Sequence, residues 1–194
     1  MNRKQFLLGL ALCLPWPCQA QAQLGSIARG VAWTKIPPVV VVASGGDARI
    51  TLVNEAVAHW NGVLAGIGSA FRLGSVSQGS SGAAVPGKIV VVLSDGVSVS
   101  HVNRSSDGQS AVVMIRNDRG PPMSLPNVAR NVIAHEMGHA IGIGHNSDPA
   151  LLMCGRPAPC RPGVFASPST HYFPLSAAER ARLLVMYPAG WKGQ

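Results

Sequence analysis

The sequence predicts a single α+β domain, and three patterns carry that prediction. Short β-branched apolar runs at 39–43, 88–93 and 111–115 have the length of buried strands. Ile50, Val53, Val57, Trp60 and Leu64 recur at intervals of three and four, the spacing of one helix face. Ser176-Ala177-Ala178-Glu179 is a capping box that opens a further helix near the C-terminus. No internal repeat is present. With 194 residues, 47% of them hydrophobic, the chain suits one well-buried core and is short for two.

The elements follow in order. Residues 1–22 are expected to be a signal peptide: Arg3 and Lys4 form a positive start, 6–14 is a short apolar run, and small residues offer cleavage after Ala20 or Ala22. Arg3-Lys4 departs from a twin-arginine pair, which favours ordinary Sec export. The apolar run is too short to span a bilayer, and no other segment is suited to it. The domain is therefore placed at 23–194, in an exported, secreted or periplasmic protein. Pro37-Pro38 leads into the first strand, and Ser44-Gly45-Gly46-Asp47 is a turn that caps the helix at 47–66. His59, beside the apolar stripe, is read as structural or solvated. A short strand is expected at 71–73, then a Gly/Ser-rich mobile loop at 74–87. Residues 97–102 alternate apolar with polar, as an exposed strand does. Asp95-Gly96 and Asp107-Gly108 are turn signals. Their carboxylates leave calcium binding open as an alternative, with too few clustered acids to specify a site. Asn127 is the expected N-cap of the helix that follows, and Pro188 ends the one carrying Leu183, Leu184 and Tyr187.

Charge and cysteines narrow the function. The formal charge of +8 becomes +6 without Arg3 and Lys4, and the basic residues form no run. Aromatics are 5% and not interleaved with them, so nucleic-acid binding is not supported. Loss of Cys13 and Cys18 with the signal leaves Cys154 and Cys160, which in an oxidising compartment most simply form one disulfide.

The chemistry lies in 135–145, His-Glu-Met-Gly-His-Ala-Ile-Gly-Ile-Gly-His. His135 and His139 share a helix face one turn apart, so both rings reach one ion. Glu136 lies too far round the helix to be a third ligand and is placed to take a proton from the attacking water. Gly142 permits a left-handed exit that brings His145 back to the ion. A bare His-Glu-x-x-His arises by chance in unrelated proteins; the third His and the Gly at the bend add the discriminating constraints. Three imidazoles with one open position is the catalytic form of a zinc site.

This motif, followed by Met153 in 148–153, resembles the metzincin zinc proteases, and the distance from His145 to Met153 resembles the matrixin branch. The resemblance implies a zincin/metzincin-like fold: a twisted mixed sheet of about five strands, two long helices, and a C-terminal helix after the Met-turn. It implies one catalytic Zn2+ on His135, His139 and His145, with Glu136 as base and Met153 as a hydrophobic floor. The protein is expected to be a monomer that takes a protein or peptide substrate, extended along an exposed strand, with 97–102 the first candidate. Asn146 stands where matrixins usually have Ser, and Gly155 where a further Tyr ligand stands in related branches; Tyr172 fills that part only if the loop folds back. His101 lacks the partners of a second zinc site, and no Cys-bearing inhibitory segment precedes the domain. The Cys154–Cys160 loop falls at the pocket wall. A zinc-binding module without turnover, or a zinc amidase acting on a cell-wall amide, are the alternatives to an endopeptidase.

Overall fold

The structure is a computed structural model, and it describes residues 30–116, 124–155 and 171–193. The expected signal peptide and Cys160 lie outside the described residues. Within them, five strands and three helices follow in the order β1 (Val39–Val42), α1 (Arg49–Gly66), β2 (Val76–Gln78), β3 (Ile89–Ser94), β4 (His101–Arg104), β5 (Ala111–Arg116), α2 (Pro126–Ala140) and α3 (Ala177–Met186). This is the α+β class expected, with a mixed sheet of order β2-β1-β3-β5-β4. Only β4 runs antiparallel to its neighbour.

One face of the sheet makes the core. Val39 and Val41, Ile89, Val91 and Leu93, and Ala111, Val113 and Ile115 alternate along their strands and pack in one cluster with the helices. Helix α1 contributes Val53, Val57, Trp60 and Leu64, the stripe read from the sequence. Trp60 is fully buried, and its Nε1 donates to the Ala134 carbonyl of α2 at 2.9 Å. A buried indole thus finds its partner on the helix it packs against. Helix α2 packs on α1, β4 and β5, and so runs between the first helix and the edge of the sheet.

Several expectations are corrected. Residues 71–73 form no strand: Phe71 and Leu73 are apolar because they are buried, with Phe71 stacked on Tyr187 at 4.0 Å. The strand of this region is β2, inside the stretch read as a mobile loop. Beyond β2 that stretch lies over the outer face of the sheet, where a Cβ on Gly82 would stand 3.0 Å from Val92 and one on Gly79 closer still to Val40. The exposed strand expected at 97–102 begins only at His101, because the hairpin through Ser105–Ser110 and Gly108 (φ 70°) sets the register of β4 against β5. Asn127 is not the cap of α2. Pro126 is the first helical residue, Leu125 the cap, and Asn127 Oδ1 accepts from Arg130 instead. The capping box of α3 forms as read: Ser176 Oγ accepts from the Glu179 amide, and Glu179 Oε2 accepts from the Ser176 amide.

The chain enters the described domain beneath the end of α2. Trp33 Nε1 donates to the Ala140 carbonyl at 2.9 Å. The Tyr187 hydroxyl accepts from the Trp33 amide and donates to the Ile141 carbonyl. Gly30 lies so close to Gly142 that a Cβ there would overlap its backbone. Carbonyls that the helix end leaves open are thereby satisfied from both ends of the chain.

Candidate metal centre

His135 and His139 project from the same face of α2, four residues apart, as the spacing requires. Each ring is oriented from behind. His135 Nδ1 lies 2.7 Å from the Leu152 carbonyl and His139 Nδ1 2.7 Å from the Ile143 carbonyl. A carbonyl only accepts, so both Nδ1 atoms carry the proton and both Nε2 atoms present lone pairs. At Gly142 the backbone turns to φ 98°, a conformation that a residue with a Cβ rarely adopts, and the chain folds back to bring His145 to the other two. His139 Nε2 then stands 3.1 Å from His135 Nε2 and 2.9 Å from His145 Nε2.

Those distances test whether the residues fit a metal. At neutral pH the imidazoles are uncharged: burial holds His135 down at about 3, with the His139 ring adding to it, and burial holds His139 at about 4. Burial also lowers His145. Two protonless Nε2 lone pairs at hydrogen-bond distance repel, and a cation at their meeting point removes the conflict. A tetrahedral zinc with bonds of about 2.0–2.1 Å separates its nitrogens by roughly 3.3 Å, close to what is seen. The donor set fits zinc. Among the described residues, this is the one group of three His, Cys, Asp or Glu side chains able to share an ion. Glu136 is 7% exposed, and its burial pushes the carboxyl up to about 7, a range suited to accepting and returning a proton.

Met153 is fully buried under α2. A Cβ on Gly138 would stand 2.6 Å from its Sδ and 2.9 Å from Trp60, so the glycine makes room for both. The Met-turn is joined to the third ligand by the Asn146 amide, which donates to the Met153 carbonyl at 2.8 Å, and by the Gly155 amide, which donates to the Asn146 carbonyl at 3.0 Å. Gly155 lies flat on the His145 imidazole, where a Cβ would fall within the ring. Tyr172 is elsewhere: its ring stacks on His59 at 3.9 Å, so it does not serve as a ligand. The same stacking gives His59 the structural place read for it. His101 Nδ1 meets the Val99 carbonyl, and the Asp107 carboxylate accepts from the Gln109 amide as a turn residue does. Cys154 is buried beside Met153.

Reading the sequence missed Asn131. It is 2% exposed on α2, one turn before His135, and its side chain donates to the His171 carbonyl and accepts from the Phe173 amide. It pins the returning chain to the metal-binding helix. A polar residue amid Val128, Ile133 and Ala134 was the available signal. The steric roles of Gly138 and Gly155 were also missed.

No protein-family model matches the chain, and no curated protein does. Among solved structures it is similar to myroilysin, at 13% identity and TM-score 0.50, over 83% of this chain and 92% of that one. A second likeness is to archaemetzincin from Methanopyrus kandleri, at 12% identity and TM-score 0.49, over 79% and 96% of the two chains. The likeness to myroilysin is one of fold.

Proposed function

We propose that this protein is an exported zinc endopeptidase of metzincin type, matrixin-like in its Met-turn. The observation that carries the reading is the convergence of three Nε2 atoms, two of them held as lone-pair donors by carbonyls behind the rings, beside the buried Glu136. His135, His139 and His145 would hold zinc there, and it would supply the Lewis acidity that this chemistry needs. Glu136 accepts the proton of the attacking water and delivers it to the leaving amine. His135 and His139 keep the tautomer that presents Nε2, because Leu152 and Ile143 hold the other nitrogen. An extended substrate pairs with a sheet edge; among the described residues β4 has β5 on one side only, and it replaces 97–102 as the candidate strand.

Digestion of a mixed peptide library, with zinc content measured in parallel, tests the reading. Cleavage stopped by a chelator and restored by zinc is expected. Bound zinc without cleavage would sink it in favour of a non-catalytic module or an amidase of non-protein bonds. Export is proposed from the charged start and apolar run of 1–22, and a mature N-terminus at residue 21 or 23 checks it. A Cys154–Cys160 disulfide is proposed as well. It is supported by the two cysteines that remain once the signal is removed into an oxidising compartment; alkylation of two thiols without reductant would refute it.

A further inference from the structure

We infer that Asn146 and Glu179 form a positioning pair for His145, so that α3, which supplies no ligand, sets how firmly the site holds metal. The inference rests on the zinc reading above. His145 is exposed and follows a turn, so no helix fixes its backbone. Asn146, next in the chain, uses its polar groups in four directions. Its backbone amide and carbonyl bond to Met153 and Gly155, making a two-residue bridge beside Cys154. Its Oδ1 accepts from the Asp148 amide at 2.9 Å. Its Nδ2 donates to Glu179 Oε1 at 2.6 Å, a short bond to a carboxylate and the only one of the four that reaches another element.

Glu179 is itself 7% exposed and held in place, since its second oxygen closes the capping box with the Ser176 amide. Its position is thereby fixed by α3 and handed to Asn146. The chain from ligand to anchor is His145, Asn146, Glu179, Ser176. This is the arrangement by which residues behind a ligand tune metal affinity, here acting through the ligand's neighbour in sequence. Asparagine suits the position because it offers Asp148 an acceptor and Glu179 a donor at once. Aspartate has the same shape but turns a second carboxylate toward Glu179.

The full chain is stripped of metal, and zinc affinity is measured by competition with a chromophoric chelator, with the visible bands of the cobalt form as a second readout. Asn146→Asp is expected to weaken zinc about 10–100-fold and to alter the cobalt bands. Adding Glu179→Gln to it restores a donor–acceptor pair of reversed sense, keeps an acceptor for the Ser176 amide, and is expected to recover most of the loss. Ser176→Ala removes the cap but not the pair, and is expected to lower the melting temperature of the metal-free chain while zinc affinity holds. Should Asn146→Asp fail to fold, Glu179→Gln alone, whose single amide oxygen cannot accept from both Asn146 Nδ2 and the Ser176 amide, takes its place with the same expectation. Unchanged zinc affinity in the single variant, no recovery in the double, or an equal loss in Ser176→Ala would overturn the inference. A wild-type chain that binds no zinc overturns the zinc reading as well, whereas tight wild-type binding with an indifferent Asn146→Asp overturns this inference alone.

Discussion

His135 and His139 ride on α2, half-buried, each with its Nδ1 proton given to a carbonyl. His145 comes from a turn, is exposed, and keeps its place through the residues around it: Gly155 on its ring, Asn146 bonded to the Met-turn and to Glu179. The helical arm is therefore determined locally, by an i to i+4 spacing on a packed helix. The turn arm is determined by three segments meeting. One site thus holds a rigid pair of ligands and a third that depends on tertiary contacts, and substitutions that touch each arm should behave differently.

The largest effect is expected on the helical arm without touching its ligands. Glu136→Ala should cost about 10²–10⁴-fold in kcat, the range for a lost general base, while zinc stays bound. Undiminished turnover would refute the role of Glu136. On the turn arm, Gly155→Ala places a methyl in the His145 ring, and a loss of about 10–100-fold in zinc affinity is expected with the metal-free fold intact. If affinity holds, the turn arm gives way more easily than its contacts imply and the contrast between the arms weakens.

Gly138→Ala tests the helical arm by stability. Overpacking against Met153 and Trp60 costs about 1–3 kcal/mol and the gain in helix propensity returns about 1, so denaturant titration should show a net loss of up to about 2 kcal/mol. The smallest effect lies away from the site. Burial, then the nearby Arg180, lowers His59 from 6.5 to about 4. The unfolded chain then takes up a proton at 59 that the folded one refuses. The stability contribution is complete above pH 6.5 and declines as pH falls toward 4. His59→Phe keeps a ring against Tyr172 and should flatten the decline in melting temperature over that window; identical slopes would rule out this origin.

What was legible in the sequence divides along the same line. The α1 stripe, the three apolar strands, the His135–His139 face, the bend at Gly142 and the capping box all rest on patterns within a few residues, and each has its counterpart in the fold. The misreadings occur where distant contacts decide. Phe71 and Leu73 looked like a strand because burial, for Phe71 against Tyr187 and Trp191, demands the same apolar residues as a ladder. Val76–Gln78 looked like a loop because a short edge strand has little to bury. Asn127 looked like a cap until Pro126 took the first helical position. Asn146 was visible as a departure, but nothing near it in sequence pointed to Glu179, which lies 33 residues on.

Trp33 and Tyr187 are 154 residues apart, and both are bonded over the end of α2 and the turn that leads to His145. A chain that emerges from its N-terminus presents the first residue of this bridge well before the last. Until Tyr187 and the helix before it emerge, the Ile141 carbonyl lacks its donor and Asn146 lacks Glu179. The metal site is thus among the last parts of the molecule to be completed, and an unfinished chain holds the ligand motif without the architecture that makes it a site.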